Sequence, residues 1–129
     1  MAALVRNAPR TALTHGRRFR DPVAADTRIF AGAMVALNAA GNAIPAIPTA
    51  TRMRGVALAE ADNSAGAIGA VSVEIERGPF LVANNGSVTR THIGGTVFVV
   101  DDNTVGAAGT LVAGKCLDVT PEGVVVEIL

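Results

Sequence analysis

The chain has 129 residues, enough for one domain with a modest core, and half of them are hydrophobic. It contains four Phe but no Tyr and no Trp, so its core must consist of small aliphatic side chains, and its 14 Gly and 6 Pro are typical of a turn-rich all-β domain. The formal net charge is zero, yet residues 1–20 carry five arginines and no acid, which leaves six of the 11 basic residues and all 11 acidic residues to the remainder. This separation predicts a basic arm attached to an acidic body.

The N-terminal stretch, residues 1–22, is the predicted arm. Pro9, Gly16 and Pro22 interrupt it, and it has few large apolar side chains, so a core of its own is not expected. A disordered tail, a transit peptide and an arm that becomes ordered on a partner all fit this composition, whereas a twin-arginine export signal does not, because no apolar stretch follows the arginine pair. The arm hypothesis assigns the partner contacts to Arg6, Arg10, Arg17, Arg18 and Arg20.

The body, residues 23–129, consists of short apolar runs separated by turn residues. Residues 27–30 and 34–37 predict a first strand pair, and residues 55–59 predict another strand. Residues 44–48 are expected at a sheet edge or in a loop, because each proline there removes a hydrogen-bond donor from the ladder. No run reaches the roughly 18 apolar residues of a membrane span, so no membrane partner is expected.

A strict alternation marks residues 70–77, which follow a polar loop. Val73 and Ile75 share one face with the other apolar positions, while Glu74 and Glu76 lie on the opposite face. This pattern predicts a half-buried strand. The two glutamates form a solvated face or one half of an interface with arginines.

The dipeptide Asn85-Gly86 follows the apolar run 80–82. It predicts a hairpin turn, because both residues tolerate the positive φ that a type I′ turn requires. With Ser87 it also matches a glycosylation sequon, although nothing in the sequence directs the chain to secretion.

The last third of the chain predicts three strands, at residues 96–100, 115–120 and 124–129. The last two are joined by a turn in which Pro121 presets φ and Gly123 occupies the fourth position. The final strand is apolar on both faces and favours self-association, since such a strand is stable only when both sides are covered. The chain as a whole predicts a small all-β sandwich or barrel-like domain with an extended basic N-terminal arm.

Residues 109–116 match a phosphate-binding loop except that Cys116 replaces the Ser or Thr. A phosphate-binding loop must open a helix, whereas the residues after Cys116 continue as a strand, and a thiol is a poor ligand for Mg²⁺. The one cysteine excludes an internal disulfide, and with His15 and His92 it gives no recognised metal-site spacing. The sequence therefore predicts no enzyme, no cofactor and no metal.

Five stretches carry a recurring order of strands and glycines: 55–59, 71–80, 94–99, 113–119 and 123–128. This order resembles that of the capsid decoration (cement) proteins of tailed bacteriophages, a family with members that are also catalogued as phage recombinase-like. The resemblance covers residues 22–129, and the basic arm is a departure from the family pattern. It implies a compact β domain on the outside of an expanded head, often a trimer, that binds the major capsid protein across neighbouring capsomers.

The resemblance places the protein in the virion, on the outer capsid surface, after synthesis in the host cytoplasm. One alternative is a nucleic-acid-binding protein that uses the Arg-rich arm, but the chain lacks the Tyr and Trp side chains on which bases stack, so a nucleic acid partner is not expected. Another alternative is a different head component, such as a spike or a fibre base.

Overall fold

The computed structural model describes residues 3–10 and 16–129, and this part of the chain is an all-β protein with one short 3₁₀ helix, Arg90–His92, which confirms the predicted fold class. The strands are β1 (Arg18–Pro22), β2 (Thr27–Ile29), β3 (Met34–Leu37), β4 (Ala43–Pro45), β5 (Arg52–Ala57), β6 (Ala61–Asn63), β7 (Ser72–Glu76), β8 (Gly78–Asn84), β9 (Thr96–Val99), β10 (Thr104–Gly106), β11 (Val112–Thr120) and β12 (Gly123–Ile128).

The first half of the chain forms a five-stranded antiparallel sheet in the order β1-β7-β5-β3-β4. Val23, directly after β1, bridges Ala43 in β4 at the far edge, and the Ala24 N–H donates to the Ala43 carbonyl at 3.0 Å. The sheet therefore curls until its two ends meet. Pro45 lies on the edge strand β4, as predicted, where its missing N–H costs the ladder least.

Side chains of this sheet alternate between two cores. On β3, Met34 and Ala36 join the core that the barrel shares, whereas Val35 joins a second core on the opposite side. On β5, Val56 and Ala57 divide in the same way. A sheet buried on both faces needs apolar side chains at successive positions, which explains the uninterrupted apolar run of β3. The second core is covered by the two-stranded sheet of β2 and β6.

The second half closes into a five-stranded barrel in the order β10-β8-β12-β11-β9. The closing contact between β8 and β10 is parallel, and the other neighbours are antiparallel. Gly123 begins β12 at φ 149°, and a Cβ there would lie 2.1 Å from the Val82 carbonyl oxygen, so only glycine fits. The fully buried barrel side chains are Val97, Val105, Cys116, Val124, Val126 and Ile128.

Two predicted hairpins are wrong. Strand β2 pairs with β6 rather than with β3, because Ile29 is buried in the second core against Ala61. Residues Asn85-Gly86 do not join two neighbouring strands: β8 pairs with β10 and β12. The Asn84 side chain folds this loop instead, since its Oδ1 accepts from the Gly86 N–H at 2.8 Å and its Nδ2 donates to the Val88 carbonyl at 2.8 Å.

The predicted arm of residues 1–22 is too long at its C-terminal end. Strand β1 belongs to the five-stranded sheet and pairs with β7 along its full length, from Arg18 opposite Glu76 to Pro22 opposite Ser72. The folded body therefore begins no later than Arg18. Residues 1–2 and 11–15 of the predicted arm lie outside the described ranges.

Candidate functional site

The segment 3–10 is a continuous exposed stretch of the described chain. Every one of its residues is exposed, and none belongs to a strand or helix. Leu4 is 63% exposed and Val5 is 93% exposed. Arg6 and Arg10 are the two predicted contact residues on this segment, and no ion pair within the described ranges involves either of them. The segment therefore presents apolar and cationic groups side by side.

The other three predicted contact residues lie on the body rather than on a free arm. Arg17 and Arg18 lie 3.4 and 3.7 Å from the Glu76 carboxylate, and Arg20 lies 3.9 Å from that of Glu74. The arginine side chains are 65 to 72% exposed, so these ion pairs are loose and contribute only about 0–1 kcal/mol each. The two glutamates are thus one half of an interface with arginines, as one interpretation of the sequence predicted, and the interface lies within this chain.

A tighter set of contacts fastens β1 to the sheet; we call Phe19, Asp21 and Arg54 the β1 clasp. The Arg54 guanidinium donates to both Asp21 carboxylate oxygens, from Nε at 2.7 Å and from Nη2 at 3.1 Å. Its Cζ also lies 3.7 Å from the centroid of the Phe19 ring. The planar guanidinium can serve both partners at once, which an ammonium could not do.

Arg77 reinforces this end of β1. Its Nε donates to the Gly16 carbonyl, and its backbone N–H donates to the Arg17 carbonyl at 2.8 Å. Its Cζ lies 5.6 Å from the Phe19 ring. Strand β1 itself carries Arg18 and Arg20 and ends in Pro22. Charged side chains and proline at a sheet edge discourage the addition of a further strand.

A shallow groove of about 560 Å³ lies where β5 of the sheet meets the open end of β11 in the barrel. Met53, Val112 and Leu129 contribute apolar surface, and Val112 is 45% exposed. Arg52 and Lys115 also line the groove and are exposed. The open shape of this groove suits a protein contact better than the enclosure of a small molecule.

The outer face of the barrel carries a smaller apolar patch. Leu81 on β8 and Val125 on β12 are cross-strand neighbours, and Leu81 is 55% exposed. Leu117 lies at the β-bulge of β11 and is also exposed. Leu81 and Leu117 are exposed and Val125 is half-buried, so this patch can serve as the centre of a protein contact.

The residues considered for chemistry are dispersed. Cys116 is fully buried on β11, and burial raises the pKa of its thiol, so the reactive thiolate is disfavoured. Residues Val112–Thr120 are one strand, so the phosphate-loop match opens no helix. His92 lies in the 3₁₀ helix, where its Nδ1 accepts from the Thr89 N–H at 2.9 Å. Within residues 3–10 and 16–129, no three His, Cys, Asp or Glu side chains are grouped as metal ligands would be.

In the described part of the chain, no helix has the length and hydrophobicity that crossing a bilayer requires.

Comparison with known proteins gives no relative: no family model, no curated protein and no solved structure matches this chain.

The sequence identified the arginines as contact residues and put Glu74 and Glu76 on one face of a strand, but it did not reveal the β1 clasp or the groove. Asp21 and Arg54 are 33 positions apart, and no local pattern joins them. One signal was available: Phe19 alternates with Arg18 and Arg20, which is the period of a strand rather than that of a flexible tail.

Proposed function

We propose that this protein is a structural component of a tailed-phage virion, which decorates the outside of the capsid by binding the major capsid protein across neighbouring capsomers. The observation that carries the proposal is the division of the chain into a closed β body and an N-terminal segment, 3–10, in which every residue is exposed. The resemblance in strand and glycine order to decoration proteins supports the same role. Such a role requires surface and rigidity rather than a reaction centre.

Exposure and ion pairing guide which of the five arginines we assign to the proposed capsid contact. Arg6 and Arg10 are available to carboxylates of a partner, and Leu4 and Val5 would bury apolar surface in the same contact. The arginines of β1 already lie beside Glu74 and Glu76, so we assign them a secondary role. Exposed pairs contribute about 0.2–1 kcal/mol each, so each copy binds weakly. Multivalent attachment to several capsomers makes the bound layer stable.

Co-sedimentation with expanded heads that lack the protein tests this proposal. We expect the full chain to bind, and we expect deletion of residues 1–10 to weaken binding at low salt and to reduce its dependence on salt. The matched pair is Arg6→Ala with Arg10→Ala against Arg28→Ala with Arg90→Ala, since both variants lose two cations but only the first loses them from the segment. Failure of the full chain to bind heads would refute capsid decoration, and equal binding by the deletion variant would show that the segment is passive.

The body is further proposed to self-associate, with a trimer as the expected state. The exposed groove at Val112 and Leu129 and the outer barrel patch at Leu81 provide apolar surface for such a contact. Light scattering at high protein concentration should give three times the chain mass. A monomeric mass both free in solution and on heads would exclude the trimer.

Nucleic acid binding through the Arg-rich segment is the competing function. It is disfavoured because three of the five arginines lie beside Glu74 and Glu76, which reduces the positive potential at the sheet edge. Binding to duplex DNA that falls steeply with salt and is lost on deletion of residues 1–10 would favour it over capsid decoration.

A further inference from the structure

The loop between β8 and the 3₁₀ helix contains a reactive sequence that the proposed function does not use. Of the seven Asn in the chain, only Asn85 is followed by glycine. In the spontaneous loss of an asparagine amide, the backbone nitrogen of the next residue attacks the side-chain carbonyl carbon. Gly86 obstructs that attack least, because it has no side chain.

Two donors converge on the carbonyl oxygen that would become negative. The backbone N–H of Ser87 donates to Asn85 Oδ1 at 3.0 Å, and the Ser87 hydroxyl donates to the same atom at 2.6 Å. Donors already aimed at a developing oxyanion lower the barrier of acyl transfer, because they need no reorganisation during the step. The folded loop thus places two hydrogen-bond donors on Asn85 Oδ1, as an oxyanion hole does on a reacting carbonyl oxygen.

The Gly86 nitrogen that would attack lies in an exposed, ordered loop, and its proton is donated to the side chain of Asn84. The Gly86 N–H donates to Asn84 Oδ1 at 2.8 Å, and the Asn85 N–H donates to the Val105 carbonyl at 3.0 Å, which fixes the backbone on either side of the reacting bond. Gly86 adopts φ 101°, and nothing lies within 4 Å of the place where a Cβ would be. Water and hydroxide therefore reach this part of the loop.

We propose that Asn85 is a site of self-catalysed deamidation in the folded protein. The Gly86 N–H first breaks its hydrogen bond to Asn84 Oδ1. The nitrogen then loses its proton to solvent base and forms a bond to Asn85 Cγ. The Cγ–Nδ2 bond then breaks, and the amide leaves as ammonia after taking a proton from water, which produces a five-membered succinimide. Water opens that ring at either carbonyl and gives aspartate or isoaspartate at position 85, with no oxidant or reductant required.

The product would alter the place where the barrel closes. Ser87 Oγ also accepts from the Ala107 N–H at 2.9 Å, so this loop fastens β8 to the segment after β10. Isoaspartate adds a methylene group to the main chain between positions 85 and 86, which displaces Ser87 from this contact. Either product adds a negative charge. The fraction of molecules with the added charge and the altered loop contacts therefore increases with time.

The test follows conversion by peptide mapping and mass spectrometry of the full chain in mildly alkaline buffer, once folded and once unfolded in urea. We expect Asn85 to convert faster than every other Asn and at least as fast in the folded chain as in urea. Ser87→Ala should slow conversion about tenfold in the folded chain and leave the rate in urea unchanged, a smaller effect than the loss of an oxyanion donor has in an enzyme. The matched control, Thr89→Ala, removes a nearby hydroxyl that does not contact Asn85 and should leave both rates unchanged.

Slower conversion of Asn85 in the folded chain than in urea would overturn the proposal, because it would show that the loop protects the amide. An unchanged folded-state rate in Ser87→Ala would overturn the part assigned to Ser87. Conversion at another Asn before Asn85 would equally contradict the assignment.

Discussion

The β1 clasp gives a quantitative test of whether the end of the predicted arm is part of the folded body. Asp21 and Arg54 form two charge-assisted hydrogen bonds, at 2.7 and 3.1 Å, and their side chains are only 14% and 30% exposed. Such bonds contribute about 1.5–3 kcal/mol when well shielded, and the partial exposure of Arg54 places this pair toward the lower end. The Phe19 ring, 3.7 Å from the guanidinium, adds about 1 kcal/mol.

We therefore expect Asp21→Ala to lower the free energy of unfolding by about 1.5–3 kcal/mol, which moves the urea midpoint down by about 1 M. A double-mutant cycle with Arg54→Met, which keeps the apolar stem, should give a coupling energy of about 1–2 kcal/mol. The control cycle joins Arg20 on β1 to Glu74 on the neighbouring strand β7, whose charged atoms are 3.9 Å apart and well exposed, and should give at most about 0.5 kcal/mol. Equal coupling energies in the two cycles would refute the reasoning, since burial and geometry are all that distinguish them.

Three further predictions concern other parts of the fold. Gly123→Ala should destabilise the chain by more than about 1 kcal/mol in urea unfolding because its Cβ would strike the Val82 carbonyl, whereas the exposed Glu122→Ala should have little effect. Burial raises the pKa of Cys116 in the folded state, so the stability that this thiol contributes is complete below its unfolded pKa and is lost as pH rises through the folded value. Cys116→Ala should flatten that fall, and an equal fall in both proteins would contradict the assignment. Deleting residues 1–10 should leave the thermal unfolding midpoint nearly unchanged, whereas deleting residues 1–22 should lower it by several degrees; equal midpoints would mean that β1 adds nothing to the body.

The local sequence pattern was sufficient to predict a strand where one face is buried and the other is exposed to solvent. Val73 and Ile75 are buried and Glu74 is exposed, as the alternation in β7 predicted. The turn at Pro121 and Gly123 was equally visible, and β11 and β12 pair on either side of it. In these places the sequence is constrained by neighbours only a few positions away.

The pairing of strands that are distant in sequence could not be predicted from local patterns. The pairing of β2 with β6, from Thr27 opposite Asn63 to Ile29 opposite Ala61, depends on burial in a core to which distant strands contribute. Asn85-Gly86 was expected to form a hairpin because its turn chemistry is right, but the side chain of Asn84 supplies competing hydrogen bonds that fold a wider loop. Turn propensity says which residues bend the chain and not which strands meet afterwards.

The predicted arm shows the same limit for charge patterns. A run of arginines without acids is typical of a flexible basic tail, and segment 3–10 has the expected exposure. Strand β1 has the same composition but finds Glu74, Glu76 and Arg54 on strands far along the chain. Composition therefore predicted the charge of the whole N-terminal stretch, while the division between segment and strand depends on contacts that only the fold creates.

The measurement that tests the central proposal most directly is a cryo-electron microscopy reconstruction of expanded phage heads with and without this protein. The proposal predicts added density on the outer surface between neighbouring capsomers, with the size of the β body and an extension for residues 3–10 that reaches the adjacent capsid subunit. Density confined to a single vertex would indicate a spike or fibre base instead. Absence of added density at saturating protein would contradict capsid decoration.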